Sequence, residues 1–181
     1  MERRTGRWFL IVGLLAMVGV VAWFAWNMVP LDPATQTVRV AAEGAIRTLY
    51  LDGTPPSSYA GGPLVESDAA AIKVRLSADI AHYFTTSLQA RYTPMELAFV
   101  DQIPTGLWDT GDLSIGWGPA SINGDQATIS FDEHEALVRH FGTGADPVTL
   151  ESTWHVQMSL VRTDGQWRVA SYGSDCAPAC A

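Results

Sequence analysis

Four histidines and one dense acidic run are the residues whose types could do proton or metal chemistry in this sequence. Asp132-Glu133-His134-Glu135 gathers three carboxylates around an imidazole, with His140 close behind, and donors of that mixture suit a divalent cation. On an extended strand only alternate residues share a face, so Asp132 and His134 supply two ligands and an incomplete site. No metal is therefore expected. Glu133 falls on the other face, in phase with Phe131, and with Asp101 at the end of a helix it is one of two carboxylates that could serve as a pocket base. A strand end or helix end reaching solvent accounts for both more simply.

The remaining histidines are placed by the same parity. His155 lies between Trp154 and Val156 and so joins Thr153 and Gln157 on a polar face; His134 is in phase with Thr128, Ser130 and Asp132. His82 is two residues from Ile80, about 200° around a helix from it. All three are expected at the surface. A Gly-x-Ser-x-Gly elbow and a Cys/His pairing are missing from the sequence, and Gly142-Thr143-Gly144 lacks the rest of any phosphate-binding fingerprint. The expectation is a protein that is not an enzyme, with no catalytic residues and no cofactor.

The two cysteines, Cys176 and Cys180, stand in Cys-Ala-Pro-Ala-Cys. That spacing is neither the Cys-x-x-Cys of redox sites nor the Cys-x-x-Cys-His of haem attachment. Outside the reducing cytoplasm a local disulfide is the expectation, with free thiols as the other reading.

The elements that must position these groups change character along the chain. Asp32-Pro33 offers an N-cap and a first helical residue, and Val38, Ala42, Ala45 and Leu49 then recur at helical spacing, so a helix is expected to about Leu51. Asp52 to Pro63 reads as a loop. Ser67 and Asp68 open a second helix, in which Ile72, Leu76, Ile80, Phe84 and Leu88 form an i+4 ladder. Thr93, Pro94 and Glu96 resemble a capping box that would start a short third helix. Beyond Gly106 the period becomes two: Leu113, Ile115 and Trp117, then Ala127, Ile129 and Phe131 across an Asn123-Gly124 hairpin signal of type I′. Trp154, Val156, Met158 and Leu160 make a third strand, and Asp164-Gly165 turns into a fourth carrying Trp167 and Val169. Helices followed by antiparallel strands predict an α+β domain, helices packed on one face of a curved antiparallel sheet.

Ahead of this domain, Trp8 to Trp26 is an uncharged run of nineteen mostly apolar residues, long enough as a helix to cross about 30 Å of hydrocarbon. Trp8 opens it and Trp23 and Trp26 close it, where indole rings favour the membrane interface. Arg3, Arg4 and Arg7 precede it, so the positive-inside bias puts residues 1–7 in the cytoplasm, a transmembrane helix over residues 8–29, and the domain at 32–175 on the extracytoplasmic side, followed by a cysteine-containing tail at 176–181. A cleavable signal peptide is the rival reading, disfavoured because Trp23 and Trp26 spoil the small-x-small pattern around Ala25. Of the net charge of −8, the first thirty residues contribute +2, so the remainder carries −10. Nucleic acid and anionic headgroups are disfavoured as partners of so acidic a domain, and no nucleic acid is expected.

The closing pair of strands, Leu160-Val161-Arg162-Thr163-Asp164-Gly165-Gln166-Trp167-Arg168-Val169, together with the helix-then-strand order, resembles the nuclear transport factor 2-like superfamily. The resemblance implies a cone-shaped, cystatin-like domain. With an amino-terminal anchor it is similar to the Mce-associated membrane proteins and to the bitopic scaffold subunits of type IV secretion machines. That similarity implies a non-catalytic accessory subunit in the plasma membrane of a prokaryote, binding other membrane or envelope proteins. Other members of the superfamily, the ketosteroid isomerase-like and dehydratase enzymes, hold a carboxylate inside the cone. They imply the alternative of a small apolar-ligand-binding or weakly catalytic pocket protein, which would show a deep apolar pocket and a buried carboxylate. A minor subunit of an energy-transducing membrane complex is a third reading.

Overall fold

The computed structural model describes residues 32–51, 53–55, 59, 64–103, 107–141 and 146–176. The expected membrane span, with Trp8, Trp23, Trp26, Arg3, Arg4 and Arg7, lies outside them, as do Cys180 and most of the Asp52–Pro63 loop. Among the described residues no helix is long and apolar enough to cross a membrane.

Three helices, α1 (Pro33–Tyr50), α2 (Glu66–Tyr83) and α3 (Thr86–Gln102), precede four strands, β1 (Leu107–Asn123), β2 (Gln126–Phe141), β3 (Val148–Thr163) and β4 (Gln166–Cys176). The strands form one antiparallel sheet in the order β1-β2-β3-β4, and the helices pack on it. The α+β architecture is thus as the change of period predicted. Helix α1 begins where Asp32-Pro33 places it and buries Val38, Ala42, Ala45 and Ile46. These meet Leu76, Ile80 and Phe84 on the helical side and Ile129, Phe131, Val156, Met158, Leu160 and Val169 on the sheet. Each fully buried aliphatic side chain of this kind contributes roughly 1.5–3 kcal/mol by leaving water.

The i+4 ladder expected as one helix is split in two. Phe84 leaves the helix with φ −115° and ψ 150° and forms a parallel bridge with Val169, and the Thr85 N–H donates to Val169 O at 3.0 Å. Tertiary pairing outweighs the local helical period there, because Phe84 buries completely by turning onto β4. Gln89 closes the gap, its side-chain amide donating to Phe84 O at 2.7 Å. The capping box read at Thr93 is also corrected: Pro94 lies inside α3, whose N-cap is Thr85. Pro94 is exposed, so water can reach the Ala90 carbonyl that its missing N–H leaves unbonded.

The first hairpin turns one residue later than expected. Asn123 pairs with Gln126, leaving Gly124-Asp125 as the loop, and only Gly124 has positive φ, at 60°. That is the pattern of a type II′ turn. The second hairpin has positive φ at both loop residues, Asp164 at 53° and Gly165 at 77°, as type I′ requires. Bulges interrupt β1 between Trp117 and Ala120 and the β3–β4 ladder between Ser159 and Leu160. Beside the first, α1 is tied to the sheet: the Arg39 guanidinium donates to Gly118 O at 3.3 Å and lies 5.3 Å from the Trp117 ring centroid.

Candidate functional site

The inward face of β2 is apolar through Ala127, Ile129 and Phe131 and then changes character, continuing as Glu133, Glu135, Leu137 and Arg139. On β3 the paired face runs Leu160, Met158, Val156, Trp154, Ser152 and Leu150. The bulge opposite β3 shifts β4 by one residue, so that Met158 pairs with Tyr172 and not with Ser171. A face carrying Trp167 and Val169 is thereby continued by Tyr172 and Ser174. Where the sheet becomes polar, the helices stand off from it and leave a cavity of about 1050 Å³, walled by Leu49 and Tyr50 of α1, Tyr92 and Glu96 of α3, and the far ends of all four strands.

Glu133 is the least expected residue here. Instead of escaping to solvent it is completely buried, and neither carboxylate oxygen has a hydrogen-bond partner of ordinary geometry. Burial, and then the neighbouring Glu135 carboxyl, push its pKa up to about 8. At neutral pH it is therefore mostly a carboxylic acid. Glu135 lines the cavity, with Oε2 accepting from Ser152 Oγ at 2.6 Å and from the Trp154 indole N–H at 3.2 Å, while Oε1 is buried without a partner. Glu96, on the buried face of α3 with Tyr92 and Val100, is pushed up to about 7 by burial. Tyr50 and Tyr172 sit beside one another on the wall, and burial is the main cause of the raised pKa of each; the Glu133 carboxyl adds to both.

The rim is differently built. Asp109 holds Arg139 through two hydrogen bonds of 2.8 Å, one from Nε and one from a terminal guanidinium nitrogen. Trp108 stacks on His140 with ring centroids 4.7 Å apart and planes 3° from parallel, and Tyr59 meets Trp108 edge-on at 5.0 Å. Met95, Phe99 and Leu150 line the mouth yet stay exposed.

The other residues singled out by type fall outside this site. Asp101 is exposed and ion-paired with Lys73 on the helical surface, so it is not a pocket base. His155 is exposed and bonded to Asp132 at 2.9 Å, and His134 to Thr153 Oγ1 at 2.9 Å, both on the outer face of the sheet. His82 is exposed beside the Tyr83 ring. Among the described residues no group of three or more His, Cys, Asp or Glu could hold a metal ion. Cys176 ends β4, and Cys180 lies outside the described residues.

Tyr50, Tyr92 and Tyr172 were not singled out by sequence reasoning, Glu96 was read only as a capping residue and Glu135 only as part of the acidic run. Glu135 shares the parity of Phe131 and Glu133 and could have been found. Tyr92, Glu96 and Val100 recur at helical spacing, a signal hidden when Glu96 is read as a capping residue. Tyr172 could not have been placed without the bulge.

No protein-family model matches the chain, and no curated protein matches it. Among solved structures, the intermembrane space region of the chloroplast protein ARC6 is similar, with a TM-score of 0.51 and 11% identity over 77% of this chain and 97% of that one. A SEC-C motif containing protein from Rhodopseudomonas palustris matches at TM-score 0.35 and 13% identity, over 74% of this chain and 87% of that one. AclR from Streptomyces galilaeus matches at TM-score 0.34 and 13% identity, over 79% and 92%. The last two likenesses are too loose to bear on this chain, and the first is one of fold alone.

Proposed function

We propose that this is an amino-terminally anchored, single-pass protein of a prokaryotic plasma membrane whose extracytoplasmic, nuclear transport factor 2-like domain binds a small, largely apolar ligand. The observation that supports the reading best is a cavity of about 1050 Å³ lined by Glu135, with the fully buried Glu133 next to it on the same face of β2 and Glu135 Oε1 buried without a donor from outside that pair. A buried polar group without a hydrogen-bond partner costs about 1–3 kcal/mol, which a stable core would not retain without use. A ligand with one polar end and an apolar body would satisfy Glu135 Oε1 while covering Leu49, Ile103 and Leu137. The role is one of binding, with no turnover assigned to it.

A second reading, an accessory or scaffold subunit that docks other envelope proteins, is favoured by the exposed Met95, Phe99 and Leu150 around the mouth and by Phe141 and Val148 nearby. Membrane extraction of the full chain, followed by native mass spectrometry and by identification of co-purifying proteins, separates the two. A bound small molecule that is lost on Phe99→Glu or Glu135→Gln supports the pocket. A stoichiometric protein partner retained by an empty pocket overturns it in favour of the scaffold.

A further inference from the structure

The cavity wall is acidic and aromatic at once, with Glu96 and Glu135 lining it and Glu133 buried beside Glu135. Glu96, Glu133 and Glu135 are all buried, and among the described residues none of them is ion-paired. Glu135 Oε1 and both oxygens of Glu133 are buried with no hydrogen-bond partner beyond each other's carboxyl. The two arginines of the wall do not answer them: Arg139 is held by both oxygens of Asp109, and Arg91 is exposed on the rim with its guanidinium 5.5 Å from the Tyr92 ring centroid. Tyr50, Tyr92 and Tyr172 line the same space, with Trp108 at its rim. Unpaired carboxyls repel an anion, and ring faces carry the negative side of the quadrupole that attracts a cation.

We infer that the ligand of this cavity is a hydrophobic organic cation, an ammonium group on an apolar body, whose charge lies against Glu135 and Glu133 among the tyrosine rings. The inference rests on the pocket reading above and names the chemistry of its ligand. It also assigns Glu133 a part. A cation beside it favours the carboxylate, so the acid form that burial enforces in the empty cavity, with a pKa of about 8, loses its proton when the ligand enters. The groups around Glu133 that could modify this are Tyr50 from α1, Tyr172 from β4 and Glu135 from its own strand, with Tyr92 and Glu96 of α3 further along the wall; β1 and β3 place Ile115 and Trp154 opposite it. Binding at neutral pH is thereby coupled to proton release.

One apolar cage carrying three charges tests this. Adamantan-1-amine, adamantan-1-ol and adamantane-1-carboxylate are titrated by calorimetry at pH 7 into the full chain in phosphatidylcholine nanodiscs, with empty nanodiscs as blank. The ammonium is expected to bind about ten-fold or more tightly than the alcohol, with the carboxylate weakest. Its binding heat should differ between Tris and phosphate by the amount that proton release predicts, and Glu133→Gln should shrink that difference to the part that Glu96 supplies. Glu135→Gln should remove the preference while keeping the alcohol's affinity, which reports that the cavity persists. Equal or tighter binding of the alcohol overturns the cation inference and leaves the pocket reading standing. If none of the three binds, the pocket reading fails and this inference with it.

Discussion

Trp154 stands directly opposite Glu133 in the β2–β3 ladder, yet its indole N–H reaches diagonally to Glu135 Oε2 at 3.2 Å. The same nitrogen is 3.1 Å from Ser152 Oγ, so one carboxylate oxygen collects two donors from β3 while the directly facing carboxyl receives none. Trp154→Phe keeps most of the ring and removes the donor. It should lower stability by about 1–2 kcal/mol, the cost of a hydrogen bond withdrawn from a buried carboxylate. Ser152→Ala should cost a similar amount, and the two together should cost less than their sum, because both act on one oxygen. Urea unfolding of the single and double variants measures this.

Stability should fall as pH rises from 5.5 to 8.5. Folding raises the Glu133 pKa from 4.5 to about 8, so between those values the folded chain holds a proton that the unfolded chain gives up. The contribution is complete below 4.5 and is lost as pH passes through about 8. Glu96, raised from 4.5 to about 7, acts with the same sign over a narrower window. The combined effect is on the order of a few kcal/mol. Glu133→Gln should flatten most of the slope in urea midpoint against pH and leave the variant more stable than the parent at pH 8.5. A parent protein that gains stability over this range would contradict the assignment.

Phe84 marks the point where the chain leaves one helix for another. Its ring is fully buried, 5.2 Å from the ring of Tyr92, while its backbone pairs with Val169. Phe84→Ala should cost about 3–5 kcal/mol, the range for deleting a buried aromatic ring. Phe84→Leu should recover more than half of that loss. Thermal unfolding followed by circular dichroism reads both.

The fold was legible wherever side-chain period alone decides the structure. Leu113, Ile129, Val156 and Trp167 are buried on the faces their alternation assigns, and α1 starts at Asp32-Pro33 because capping is a local property. What stayed hidden depends on contacts distant in sequence. The break at Phe84 is set by Val169, and the inward turn of Tyr172 by a bulge against β3. The candidate site was half legible for the same reason. Parity put Glu133 on the core side, but only the strand continuing to Phe141 under α1 and α3 decides that this end of β2 is roofed and not frayed.

Gly111 controls how closely β1 and β2 approach beside that roofed end. It pairs with Leu137, and a Cβ built on it would lie 2.2 Å from Ala136 O and 2.9 Å from Leu137 Cα, both backbone atoms that cannot rotate away. Gly111→Ala must therefore move the strands apart, at a cost of about 1–3 kcal/mol for an overpacked contact. Asp109 and Arg139, themselves paired across the same two strands, are two residues away from Gly111 and Leu137, so the separation should loosen their bidentate bond. That ion pair is partly exposed and worth about 1 kcal/mol at most, and Asp109→Asn alone should barely change stability. The two variants are thus expected to differ in kind. Gly111→Ala should speed amide exchange along Leu137 to Arg139 and reduce ligand binding in the cavity, whereas Asp109→Asn should leave exchange unaltered; equal exchange in both variants would show that the close strand approach is not what holds this wall in place.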